Sequence, residues 1–197
     1  SFEVGYFHLG SCYESKLAVW LADLPELVLS IFNEAATYLV TKKMYPHYGN
    51  VHKEIRVRIA DLPVIDPIRE FRQAHMNVLV RIEGVVIRRS AVYPQLQAVR
   101  YDCTRCSFII GPIMQRGDKE VKVTQCPSCH SKGPFRVNMA LTEYRNHQTL
   151  VLQEPPGKVP PGRLPRSLEV ILTHDLIDRA KPGEECEVHG IYKNSFD

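Results

Sequence analysis

Two Cys-x2-Cys pairs, Cys103-Thr104-Arg105-Cys106 and Cys126-Pro127-Ser128-Cys129, stand nineteen residues apart. That is the spacing of a four-thiolate zinc site. Each pair can bend over a metal so that both of its sulfurs point inward. The spacer is long enough for a hairpin that returns the second pair to the first. Four thiolates close a tetrahedron and leave no open position for a substrate, which makes the site structural. Two disulfides, or a redox-active Cys-x2-Cys, are the competing readings. A doubled pair at zinc spacing favours the metal.

The remaining cysteines, Cys12 and Cys186, read as small buried apolar residues. Six cysteines with four in metal-like pairs suit a reducing compartment, the cytosol or nucleus. The composition, 44% apolar and 24% charged over 197 residues, is that of a globular protein and excludes a disordered chain. No apolar run reaches the ~18–20 residues of a membrane helix. The start, Ser1-Phe2-Glu3-Val4, has no initiator Met and no signal-peptide pattern. Charge is uneven along the chain. Residues 77–154 carry 11 Lys and Arg against 6 Asp and Glu, whereas the flanking thirds are each slightly acidic. The middle third is therefore the electrostatic candidate for a phosphate backbone, with a solvated basic surface as the plain alternative.

Several elements are needed to position the cysteines. Residues 14–43 read as helical, with Leu17, Trp20 and Leu21 on one face. After a break, Leu24, Leu27, Val28, Ile31, Phe32, Ala35 and Leu39 form a second apolar stripe, read as core. Asp23 reads as the cap of the second helix, with Pro25 and Glu26 in its first turn and Lys42 and Lys43 at its end. Ile55, Val57 and Ile59 alternate with Arg56 and Arg58 as a half-buried strand. Asp66-Pro67 opens a short helix to about His75. Residues 1–76 thus form a small, mainly helical subdomain.

From Asn77 the pattern is β. Residues 78–87 make a long strand whose interior Gly84 predicts a bulge or bend. Strands follow at 95–102, running into Cys103, and at 135–139, 144–153, 168–172 and 186–192. Lys181-Pro182-Gly183-Glu184 predicts a type II turn. The fold class is α+β, mainly β: a helical subdomain and a five-stranded oligonucleotide-binding (OB) barrel with a zinc ribbon inserted between its second and third strands. The boundaries are 1–76, then 77–102 with 136–197 for the barrel, and 103–135 for the insert. Residues 154–167 contain five Pro and two Gly, too marked for a filler connection, and are read as a functional loop. The chain stops at Phe196-Asp197 directly after a strand, which reads as a cut within a longer protein.

These residues resemble a known family. Leu79–Ser90, both cysteine pairs, Gly133-Pro134-Phe135, Gln153-Glu154-Pro155, Gly162-Arg163-Leu164-Pro165-Arg166, Asp175-Leu176-Ile177-Asp178 and Lys181-Pro182-Gly183-Glu184 occur in the same order in the N-terminal domain of minichromosome maintenance (MCM) replicative helicase subunits. The resemblance implies a non-catalytic collar with a helical part, a zinc part and a barrel. It implies a hetero-hexamer with other MCM subunits around single- or double-stranded DNA in the nucleus, and pairing of two rings through their zinc parts. By position, Cys103, Cys106, Cys126 and Cys129 are implied as ligands of one structural Zn2+. The loop falls at the family's allosteric communication loop, with Gln153, Glu154, Lys158, Arg163 and Arg166 as its site residues. Arg81, Arg88, Arg89, Arg100 and Arg145 are the barrel arginines to test for DNA contact.

The family's ATPase core, with its ATP and Mg2+, is not in these residues. The Gly157-Lys158 pair is followed by Val159, and Leu152 stands where a P-loop's first Gly belongs. The family's DNA-facing hairpin is expected just past the last strand. A zinc deaminase is the enzymatic rival, since His52-Lys53-Glu54 and Cys126-x2-Cys129 imitate its pattern. It leaves Cys103 and Cys106 without a role. A zinc-stabilised protein-interaction module that never meets DNA is the remaining alternative.

Overall fold

The computed structural model describes residues 1–11, 16–50, 55–114 and 123–194. These fall into two compact units. One comprises Ser1–Arg88, Val151–Leu168 and Lys181–Asp197, the other Arg89–Leu150 and Glu169–Ala180.

The first unit opens with strand β1 (Phe2–Gly5), which the sequence reading missed, followed by helix α1 (Tyr6–Ser11), α2 (Lys16–Asp23) and α3 (Pro25–Tyr38). β1 pairs in parallel with β2 (Val57–Ala60). β1 spans only four residues, too few to show the alternation that marks a strand. Its partner shows it: Val57 and Ile59 are buried and pack with Leu21, Val28 and Leu62. The polar face of α3 guides β2 into place, since Asn33 Oδ1 accepts the Val57 N–H at 2.6 Å and Thr37 Oγ1 accepts the Ile55 N–H at 3.1 Å.

Two expectations about the helices are corrected. Asp23 does not cap α3; it ends α2, and Leu24 occupies the cap position with no side-chain bond. Pro25 at the first helical position starts the helix instead, where its fixed φ fits and its missing N–H is not needed. Nor is the apolar stripe all core. Leu21 and Val28 are buried, but Trp20, Leu24, Leu27 and Ile31 are more than half exposed. The two-stranded sheet is too narrow to cover more than one edge of α3. The helix closes in a wide turn, Leu39–Met44, where the Tyr45 N–H reaches the Val40 carbonyl at 2.8 Å. Beyond Pro67, two single 3-10 turns at Ile68–Glu70 and Gln73–His75 replace the expected short helix.

The remaining strands are β3 (Leu79–Arg89), β4 (Tyr93–Cys103), β5 (Ile109–Met114), β6 (Phe135–Val137), β7 (Glu143–Gln153), β8 (Ser167–Thr173) and β9 (Glu185–Ile191). They form one sheet in the order β5-β4-β7-β3-β9, with β6 also on β4 and β8 on β7. β3, β4, β6, β7, β8 and β9 fall at the six strand positions read from the sequence, and β5 (Ile109–Met114), between the two cysteine pairs, adds a seventh strand to the sheet. The predicted turn is present: Gly183 has φ +92° and the Glu184 N–H returns to the Lys181 carbonyl at 3.1 Å.

Gly84 opens no bulge in the ladder with β9. β3 pairs with β9 without a register shift from Leu79↔Ile191 to Val85↔Glu185. The glycine is there because β7 comes too close: a Cβ would lie 2.5 Å from Leu152 Cγ and 2.6 Å from the Gln153 carbonyl oxygen. Leu152 is fully buried and cannot retreat. Gly84→Ala is therefore expected to destabilise the chain by about 1–3 kcal/mol, the cost of overpacking. A urea midpoint equal to that of the unsubstituted chain would show that the strands can part.

Candidate metal centre

Strand β4 delivers the first pair of cysteines. Its end is held on both sides, by β5 (Asp102↔Ile109) and by β6 (Cys103↔Phe135). The β4–β5 register shifts between Val99 and Tyr101, and Gly111 (φ +114°) sits against that irregularity, where a Cβ would come 2.8 Å from the Val99 carbonyl oxygen. Beyond the shift Cys103 is buried with Cys126 and Ile110, and Tyr101, Ile113, Val123 and Phe135 pack against the three.

Both pairs fold into the same knuckle. The Ser107 N–H bonds to the Cys103 carbonyl at 2.9 Å, and the His130 N–H to the Cys126 carbonyl at 3.0 Å. The Cys103 N–H bonds to the Phe108 carbonyl at 3.0 Å, and the Cys126 N–H to the Ser131 carbonyl at 2.9 Å. Each knuckle reverses through a left-handed residue four places past its first cysteine, Ser107 at φ 55° and His130 at φ 56°. A side chain there costs about 1–2 kcal/mol relative to glycine. Ser107→Gly and His130→Gly are each expected to stabilise the metal-loaded chain by up to about 1 kcal/mol, after the entropy that glycine loses on folding. Calorimetric unfolding checks this, and a lower midpoint for both variants would rule out strain at the knuckles.

The four sulfurs converge. All lie within 4.8 Å of one another, with Cys103 and Cys129 at 3.6 Å and Cys106 and Cys126 at 3.7 Å. These separations are far from the ~2.05 Å of a disulfide, and the four are free cysteines. They are close to the ~3.8 Å edge of a tetrahedron whose centre is ~2.3 Å from each sulfur, the zinc–thiolate length. The donor set therefore fits a tetrahedral thiophilic ion. The proton affinities agree. Backbone N–H groups of Cys106 and Arg105 aim at the Cys103 sulfur and hold its thiol down at about 6. The N–H groups of Cys129 and Ser128 lower Cys126 in the same way. The Ser131 N–H pulls Cys129 down too, but burial and the hydrogen bonds with the three other cysteines outweigh it and push it up to about 12. Four thiols this close share protons against their neighbours' charge, and a dication replaces that repulsion with attraction. Cys186 is not part of the cluster; burial raises its thiol. Cys12, and the His52-Lys53-Glu54 of the deaminase reading, lie outside the described residues. All four paired cysteines share one site, which gives Cys103 and Cys106 the role that reading denied them.

The structure gives the five arginines different surroundings. Arg81 is held by Glu187 through Nε (3.1 Å) and Nη2 (2.8 Å), and donates through Nη1 to the Leu62 carbonyl at 2.7 Å. Arg89 pairs with Asp178 at 3.1 Å. Arg145 donates to Gln95 Oε1 at 3.0 and 3.2 Å. Arg88 is exposed and Arg100 half-buried, and neither side chain has a bonded partner among the described residues.

The loop residues also separate. Glu154 is 6% exposed and forms a bidentate pair with Arg69, at 3.0 Å to Nε and 2.5 Å to Nη2. Arg69 carried no signal in the sequence. Lys158 pairs with Glu83, and Arg166 is bound through its backbone to Glu154. Gln153 is the last residue of β7. Arg163 is exposed at the loop's tip. Sequence reasoning also passed over Gln148, which is 1% exposed and bonds to the Ser90 carbonyl, the Asp178 carboxylate and the Asp178 N–H. No helix among the described residues is long and apolar enough to cross a membrane.

Comparison with known families matches residues 67–196 to the MCM OB domain. The chain is 55% identical over 182 residues to the DNA replication licensing factor MCM2 of Oryza sativa subsp. indica, covering 92% of this chain and 19% of that protein. It is 49% identical to the MCM2 licensing factor of Schizosaccharomyces pombe, covering all of this chain and 24% of that protein. It is 30% identical to the minichromosome maintenance protein MCM of the archaeon Saccharolobus solfataricus, covering 91% of this chain and 26% of that protein. The chain thus spans about a fifth to a quarter of the relatives it matches.

Proposed function

The chain belongs to the MCM family, and from that premise we propose that it is the N-terminal, non-catalytic collar of a subunit of the hexameric replicative DNA helicase that licenses origins, of the MCM2 type. In this reading residues 1–76 are the helical part, 103–135 the zinc part, and 77–102 with 136–197 the OB barrel. Cys103, Cys106, Cys126 and Cys129 hold one structural zinc, which supplies folding energy to a segment with little apolar core of its own. That segment is the rigid knob through which two rings meet head to head. Residues 154–167 are the loop that contacts the ATPase tier of the adjoining subunit. ATP and Mg2+ chemistry belongs to a part of the protein beyond these residues, and the protein works in the nucleus.

The observation that carries the reading is the conjunction of the family match over residues 67–196 with a closed four-sulfur cluster inside that span. A cluster with no vacant ligand position serves architecture, not hydrolysis.

The barrel's contribution to DNA is backbone contact without sequence preference. Arg88 and Arg100 lead, because the guanidiniums of Arg81, Arg89 and Arg145 already have partners within the chain. In the assembled ring, Arg88→Ala or Arg100→Ala is expected to weaken single-stranded DNA binding alike for all sequences and to reduce the log–log salt slope by about 1. A ring whose binding has no salt slope would replace the collar with the alternative, a zinc-stabilised protein-interaction module without DNA contact.

A further inference from the structure

The four sulfurs are not equivalent. Cys103 and Cys126 are buried, at 2% and 0% exposure, whereas Cys106 and Cys129 are exposed. Each knuckle therefore contributes one covered thiolate and one that solvent reaches. The contacts cross between knuckles: exposed Cys129 faces buried Cys103 at 3.6 Å, and exposed Cys106 faces buried Cys126 at 3.7 Å. Thiolate character and exposure decide which cysteines a hydroperoxide oxidises first. A sulfenic acid formed on an exposed cysteine then has a covered thiolate of the other knuckle beside it, ready to resolve it.

We propose that Cys106 and Cys129 are sites of reversible oxidation, and that a hydroperoxide turns the four-thiolate site into two disulfides across the knuckles, Cys103–Cys129 and Cys106–Cys126. This rests on the reading of the four cysteines as one zinc site. In the first step the exposed thiolate attacks the peroxide. An S–O bond forms, the O–O bond breaks and hydroxide leaves. In the second the facing thiolate attacks that sulfur. An S–S bond forms, the S–O bond breaks and a second hydroxide leaves. Two thiolates give up two electrons and the peroxide takes them; the other facing pair consumes a second peroxide in the same way. The chain then has no thiolate left to hold a metal. The new bonds join residues 26 and 20 positions apart, where a bond within a knuckle joins residues only three apart. Cross-links over the longer loops restrict the unfolded chain more. The two knuckles thus stay together after the metal is lost, and a thiol reductant restores the ligands.

The test uses the full-length, zinc-loaded chain without substitutions. Peroxide is added, and zinc release to a chromophoric chelator is followed alongside disulfide mapping. Trypsin separates the cysteines by cutting after Arg100, Arg105, Arg116, Lys122 and Lys132. The expected product is one disulfide-linked species of three peptides, 101–105, 106–116 and 123–132, with fragmentation between Cys126 and Cys129 placing Cys103 on Cys129. Zinc is expected to leave in step with its formation, and reductant with added zinc to return one ion per chain. Amide exchange at 103–114 and 123–135 is expected to stay slow in the oxidised chain and to become fast in reduced chain stripped by a chelator. Peptides 101–105 and 106–116 joined without 123–132 would put the disulfides within the knuckles and overturn the proposal. So would sulfinic or sulfonic acid at Cys106 and Cys129 with no disulfide, or zinc fully retained under excess peroxide. Equal exchange in the oxidised and stripped forms would overturn the claim that the disulfides take over from the ion. A chain that holds no zinc before treatment would instead refute the four-cysteine site itself.

Discussion

Cys126→Ser is expected to abolish bound metal and unfold residues 103–135 while the helical core around Leu21 and Val28 stays folded. The size of the effect follows from how little else holds that segment. Among its described residues the buried apolar ones are Cys103, Ile110 and Cys126, two of them metal-site sulfurs. Structural zinc in finger peptides contributes about 10–16 kcal/mol of apparent binding free energy at neutral pH, most of it realised as folding. Serine cannot replace a thiolate ligand at that strength. The helical core draws on β1, β2 and α3, and none of its residues lies in 103–135. Metal analysis and hydrogen exchange on the same sample separate the two parts. Loss of metal with full protection retained at 103–114 and 123–135 would mean the β4–β5–β6 ladder suffices. Metal retained at one per chain would refute the four-cysteine site. In the assembled protein the same variant is expected to weaken pairing of rings, the function proposed for the knob.

The cysteine site was legible because its chemistry is written in spacing. Thiolate ligands must come in pairs that one backbone turn can bend over one ion, and no other constraint on those positions is needed. Strand β2 was legible for a related reason: the alternation of Ile55, Val57 and Ile59 with Arg56 and Arg58 reflects which side faces the core, and Val57 and Ile59 are buried there. What could not be read depends on neighbours distant in sequence. Gly84 looks the same whether it opens a bulge or admits Leu152, and only the β7 backbone decides. Trp20, Leu24, Leu27 and Ile31 have helical spacing but lack cover, because the facing sheet has two strands. Ser107 and His130 look like surface residues, yet each reverses a knuckle. Arg69 and Glu154 are 85 residues apart, and an ion pair at that separation leaves no periodic trace.

Glu154→Ala is expected to destabilise the chain by about 3–5 kcal/mol, the cost of removing one partner of a buried ion pair. Both side chains are well covered, at 17% exposure for Arg69 and 7% for Glu154. Removal leaves the guanidinium without its counter-charge and the Arg166 N–H without its acceptor. Glu154→Gln keeps an acceptor for that N–H and is expected to cost less. The substitution of both residues, Arg69→Met with Glu154→Leu, is expected to recover much of the loss, because the uncompensated charge disappears with its partner. Additive losses in a double-mutant cycle would show that the two are not coupled. The pair also fixes a pH signature. The Arg69 hydrogen bonds, helped by the Arg166 N–H, hold the Glu154 carboxyl below its ordinary value of 4.5. A group lowered in this way contributes its full stabilisation above about 4.5, and loses it as the pH falls through the folded-state value. Stability should therefore drop more steeply below pH ~4.5 in the unsubstituted chain than in Glu154→Gln, which has no proton to take up there. Parallel acid limbs for the two proteins would mean that the Arg69–Glu154 contact is held by shape rather than by charge.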